Sequence, residues 1–151
     1  MTSSLYQQDF YAWTQEQLAH LHAGQLDRLD IPALMEELES MGASERRELV
    51  HRLEVLLMHL LKWQYQPAFQ SPSWRLTLKE QRLKLADHLE DNPSLGNPDR
   101  FQESLTKAYR LALLKAEQET GLRASTFPAR CPFTIAQLLD QNFLPDSLPD
   151  P

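Results

Sequence analysis

Leu56-Leu-Met-His-Leu-Leu-Lys-Trp-Gln-Tyr-Gln-Pro67 decides the class of this fold. At roughly 100° per residue, Leu56, Leu60 and Trp63 stack on one helical face, and Leu49 and Leu53 extend it toward the N-terminus. Val50, Leu57 and Leu61 widen that face on one side, and Val55 widens it on the other. After Glu54 the helix is apolar almost all round, and a helix of that kind is buried on every side. The spacing therefore predicts a central helix from about Ser44, a plausible cap, to about Tyr65, stopped by Pro67.

Outward from this helix the same bias continues. The chain holds 28 Leu against 2 Val and 2 Ile. Strands draw on β-branched residues, whereas helices are content with Leu, Ala, Glu, Gln, Lys and Arg. The class read from this is all-α, with no strand. Upstream, Asp30 reads as an N-cap with Pro32 in the first turn, where a missing N–H is harmless. Ile31, Leu34, Met35, Leu38 and Met41 fall at helical spacing, and Glu36, Glu37 and Glu39 project around the rest of the cylinder. Gly42 reads as a left-handed stop. A first helical region ends at Gly24, with Tyr6, Phe10 and Trp13 forming an aromatic turn and Thr14–Gln17 carrying capping-box spacing that predicts a bend. Downstream, Pro72 and Trp74 open a fourth helix with Leu78, Leu85 and Leu89 on its apolar face and Leu76 and Leu83 alongside, ended by Asn92-Pro93. A fifth runs from Pro98 to Gly121 through Phe101, Leu105, Tyr109 and Ala112. The proline-rich remainder, from about 122 to 151, is expected to lie over the bundle, with Thr134 capping one short helix and Phe127, Phe133, Phe143 and Leu144 as anchors. The expected architecture is one helical domain over residues 1–151 with about five main helices.

The chain has 151 residues, a formal net charge of −6 and 42% hydrophobic residues. That length supports a core without metal or disulfide staples. An acidic total argues against a dedicated nucleic-acid binder, because phosphate recognition is driven largely by Lys and Arg. The charge is uneven: residues 1–60 sum to −6, residues 61–130 to +3, and the remainder adds three acids and no base. Cys131 is the single cysteine, so no intrachain disulfide can form, and a reducing cytoplasmic setting is expected. The N-terminal residues have neither a basic stretch nor an apolar core, so no signal peptide is expected. The longest strongly apolar run, Val55–Leu61, is far short of a membrane span of roughly 20 residues.

Few residues offer chemistry. His59, on the flank of the central helix, has the chemistry of a general base or metal ligand and also that of a neutral core histidine. A Glu from a neighbouring helix would complete an interior site, and Glu36 is a candidate. Glu48-x-x-His51 has the spacing used in bundle di-metal sites but occurs once, where such sites need two. Glu36, Glu37 and Glu39 form one candidate partner surface. Arg75, Lys79 and Arg82, at i, i+4 and i+7, form a basic stripe and a second. Cys131 shows only Arg130 nearby and reads as a packed thiol rather than a nucleophile. Dinucleotide, P-loop, HExxH and paired-CxxC patterns are absent. No metal and no cofactor is expected. Two functions remain open: an adaptor that binds a protein partner or a second copy of itself, or a small enzyme or ligand-binding bundle built on His59.

The order of motifs adds a resemblance. Asp9-Phe-Tyr-Ala-Trp13, Glu36-Glu-Leu-Glu-Ser-Met-Gly42, Glu45-Arg-Arg-Glu-Leu49 and the Leu56–Pro67 stretch are followed by Ser73-Trp-Arg75, Pro93-Ser-Leu95 and Thr126-Phe-Pro128. Cys131-Pro-Phe-Thr134, Gln137-Leu-Leu-Asp140 and Phe143-Leu-Pro145 close the series. Over nearly its whole length the sequence resembles the bacterial family catalogued as domain of unknown function 29. The resemblance implies an all-helical cytoplasmic bundle and carries over no catalytic residue.

Overall fold

Thirty-five consecutive residues, Ile31–Tyr65, form one unbroken helix, α3, in the computed structural model, which describes residues 4–148. It follows α1 (Leu5–Gln8) and α2 (Phe10–His22) and precedes α4 (Pro72–Asp91), α5 (Pro98–Thr120) and the short α6 (Ile135–Leu139). The described residues contain no strand. By internal contacts the chain divides into a first unit through Ser44 and a second from Glu45.

Continuity of α3 corrects the expected stop at Gly42 and the expected cap at Ser44. Glycine costs a helix only about 1 kcal/mol relative to alanine. No proline follows it, and Ala43 through Leu49 continue the helical ladder. Gly42 does not take a positive φ, and a Cβ added there would meet no atom within 4 Å. Gly42→Ala is therefore expected to stabilise the protein by about 0.5–1 kcal/mol, read as a higher urea midpoint with an unchanged slope. Gly24 and Gly121 do terminate helices, with φ of 69° and 73°.

In the first unit, Asp9 caps α2 by accepting from the Ala12 N–H, so the bend falls there and not at Thr14. Thr14 sits inside α2 and its hydroxyl donates to the Tyr11 carbonyl. Asp30 caps α3 as expected and is itself well held. Its carboxylate accepts from the Ala33 N–H and from Trp13 Nε1, and its own N–H donates to Gln17 Oε1 at 2.7 Å. Tyr6, Phe10 and Trp13 cluster with ring centroids 4.6–5.9 Å apart.

In the second unit, the α3 leucines carry the core. Leu49, Leu53, Leu56, Leu57, Leu60 and Leu61 are all fully inaccessible, each contributing about 1.5–3 kcal/mol through burial. Helix α4 runs antiparallel to α3: Lys62 lies over the Trp74 ring, Arg75 over the Trp63 ring, and His88 Nε2 meets the Glu45 carbonyl at 2.9 Å. Helix α5 runs parallel to α3, tied by Lys115–Glu54 at 3.1 Å and Lys62–Glu119 at 3.5 Å. Ala108, Ala112 and Ala116, one turn apart and fully buried, give α5 a small-residue face in the core. Leu78 and Leu85 face inward from α4, but Leu76 and Leu83, expected alongside them, are exposed. The segment after α5 lies as expected, with Phe127 and Phe133 buried, Phe143 and Leu144 packed on the core, and a complete Thr134–Gln137 capping box opening α6.

Candidate functional site

His59 is half-buried on α3 and accepts no hydrogen bond among the described residues. Burial and the neighbouring Lys62 cation push its pKa below the ordinary value, with Glu119 opposing them. Both effects favour the neutral ring. Glu119 is already engaged by Lys62, and Glu36 belongs to the first unit while His59 belongs to the second. A histidine base needs a partner that fixes its tautomer, and neither carboxylate is bonded to this ring. Glu48 is bound to Arg52 at 2.7 Å rather than aimed with His51, which is exposed. Among the described residues, no three His, Cys, Asp or Glu side chains converge on a point where an ion could sit. Cys131 is half-buried; burial raises its pKa, and its thiol donates to the Phe133 carbonyl.

The expected basic stripe does not survive intact. Arg75 and Lys79 are exposed, but Arg82 is buried, at 2% exposure. Its guanidinium donates to three main-chain carbonyls: Leu138 at 3.0 Å, Gln137 at 3.0 Å and Phe143 at 2.7 Å. It also lies over the Phe143 ring. Arg82 is thus removed from the candidate partner surface, because its planar fork of donors is turned inward onto three main-chain carbonyls. Its periodicity matched a solvated stripe, and its acceptors lie 55 to 61 residues away in sequence. Sequence reasoning also missed the ion pair of buried Glu54 with Lys115, and the stacking of Lys62 and Arg75 on Trp74 and Trp63. A single carboxylate amid an apolar run was the available signal for the first.

The acidic surface is different. Glu36 and Glu39 are exposed on α3. Glu37 is half-buried and accepts the Tyr6 hydroxyl at 2.6 Å. That bond, with Glu36 and Asp30 adding negative potential, pushes the Tyr6 phenol up to about 12. The sign follows from linkage: the bond's contribution to stability is complete below the ordinary phenol pKa near 10 and is lost as pH rises through about 12. An ultraviolet absorbance titration should show one late-ionising tyrosine vanish in Tyr6→Phe. Its persistence would remove the Tyr6–Glu37 bond from the account.

Beside these acids, Ile31, Met35, Leu38 and Met41 run along one face of α3 and are 50–64% exposed. A 44-residue unit thus leaves open the face that its periodicity marks as apolar. Among its described residues the buried apolar side chains are Trp13, at 3% exposure, and Ala33, at 7%, and neither is fully buried. Ten of the seventeen exposed large hydrophobic side chains among the described residues lie at or before Met41. The first 44 residues carry seven carboxylates and one arginine, so they account for the entire formal charge of −6; residues 45–151 are balanced. Contiguous exposed apolar surface rimmed by charge marks an interaction site.

No helix among the described residues is long and apolar enough to cross a membrane. A family model described as Domain of unknown function DUF29 matches residues 5–144. No curated protein and no solved structure matches the chain.

Proposed function

The chain belongs to the DUF29 family, and on that premise we propose that it is a non-catalytic interaction module whose first unit takes up a basic amphipathic helix of a partner protein. One observation carries this reading: the open stripe Ile31–Met35–Leu38–Met41 lies in the same 44 residues that account for the net charge of −6. A helix laid on such a stripe is recognised by apolar anchors at i, i+3, i+4 and i+7. Flexible methionines, two of which lie in this stripe, adapt to partners of varied shape. Glu36 and Glu39 beside the stripe select Lys and Arg flanks and reject acidic ones, and such complementarity acts mainly on association rate and specificity. A second copy is disfavoured as occupant, since pairing through this unit would set −6 against −6. The bacterial cytoplasm is the setting this reading favours, supported by Cys131 as a free thiol.

The test is a photo-crosslinking residue placed at position 38 in living cells. The expected product is one discrete adduct, joined through a helix-forming, net basic segment of another protein. It should be lost in the Glu36→Lys, Glu39→Lys double variant and weakened by salt. A product joined to a second copy of the chain, to an acidic segment, or to nothing would overturn the proposal.

A further inference from the structure

Within the second unit, a cleft of about 620 Å³ opens between α5 and the segment around Arg130. Leu105, Leu113 and Phe133 give it an apolar floor. Every charged side chain that lines it is a cation: Lys107 and Arg110, three apart on α5, and Arg130 across from them. None of the three is in an ion pair or hydrogen bond among the described residues.

Most neutral polar side chains of the wall are already engaged; Gln102 reaches Thr106 Oγ1 at 3.5 Å through Nε2 and leaves its Oε1 open. The Tyr109 hydroxyl donates to the Pro128 carbonyl, the Thr106 hydroxyl to the Gln102 carbonyl, and the Cys131 thiol to the Phe133 carbonyl. What the cleft presents to a ligand is therefore apolar surface, three unpaired positive charges and the Gln102 amide. A concavity lined by one sign of charge with low-dielectric walls concentrates ions of the other sign. Its volume lies in the range of small-molecule sites. A water occupies about 30 Å³ of liquid, so a bare inorganic ion would leave the floor unused.

We infer that this cleft binds an amphipathic organic anion: a monocarboxylate with an alkyl or aryl body, its carboxylate among Lys107, Arg110 and Arg130 and its body against Leu105, Leu113 and Phe133. Guanidinium groups suit the head, because their paired donors match the two carboxylate oxygens.

Cys131 lines the cleft and is the chain's single thiol, which makes its alkylation a reporter at the site. N-ethylmaleimide is uncharged, so the cations do not steer its approach, and comparing each variant's rate with and without ligand across a pH series separates access from thiol ionisation. In the full chain, octanoate should slow Cys131 alkylation saturably, by about fivefold or more. Octanol, octylammonium and inorganic phosphate should not. In the Arg110→Gln, Arg130→Gln double variant, at least tenfold more octanoate should be needed for the same protection. Ala129→Trp, at an exposed position in the wall, should fill the cleft and abolish the effect. Both positions of the double variant are exposed, and each single variant is the fallback should the double fail to fold. Equal protection by octanol would mean a merely apolar site, and equal protection by phosphate a merely ionic one; either overturns the inference. So does octanoate without effect, or protection indifferent to the arginine variants. Leu38→Glu should leave the protection unchanged, which separates this site from the helix-binding face.

Discussion

Arg82→Ala is expected to destabilise the protein by about 3–5 kcal/mol, the sum of three charge-assisted hydrogen bonds lost and acceptors left unmatched. The guanidinium is buried at 2% exposure and donates to three carbonyls between Gln137 and Phe143. Alanine leaves those acceptors without donors, and an unsatisfied buried group costs about 1–3 kcal/mol. The substitution also opens a gap beside Phe143. Arg82→Lys separates charge from geometry: it keeps the cation but replaces a planar fork with a single ammonium, so it should fall between the two. Urea unfolding checks both. A loss below about 1 kcal/mol for Arg82→Ala would show that water reaches these carbonyls and that the network is not closed.

Leu57→Ala should cost about 3–4 kcal/mol, and Leu38→Ala almost nothing. Both leucines stand on α3. Leu57 is fully inaccessible, so truncation removes burial and leaves a cavity. Leu38 is 64% exposed, and substitutions at such positions usually fall within about 0.5 kcal/mol. If Leu38 truncation proved as costly as Leu57, the stripe would be core rather than a face left for a partner. The proposed function would then fall with it. The thermal midpoints of the two variants should separate on the order of 10 °C.

What was legible in the sequence was local. Asp30 with Pro32, Thr134 as a cap, Pro67 after Tyr65, and Gly121 after Thr120 each act within a few residues of themselves, and each stands where its chemistry predicts. Gly42 misled because a glycine stop requires the chain to turn left-handed, and nothing after it asks for that turn. Thr14 misled because Asp9, five residues earlier, already caps the helix. Arg82 was unreadable for a different reason: its role depends on carbonyls more than fifty residues away, which no periodicity encodes. The stripe from Ile31 to Met41 was visible as apolar, but whether such a face is covered depends on neighbours rather than on its own spacing. The cleft lined by Lys107, Arg110 and Arg130 needed the fold, since Arg130 lies twenty residues beyond Arg110 in the chain.

The three bonds of Arg82 also impose an order of events during synthesis. Its acceptors are translated 55 to 61 residues after it, which is roughly 3–12 s at ordinary rates of elongation. Through that interval the nascent fourth helix bears an unmatched positive charge in line with Leu78 and Leu85, the residues it will later bury. A cation embedded in an apolar stripe resists premature burial and keeps sticky intermediates apart. The side chain that locks the finished fold therefore stays unmatched until the stretch from Gln137 to Phe143 has been made.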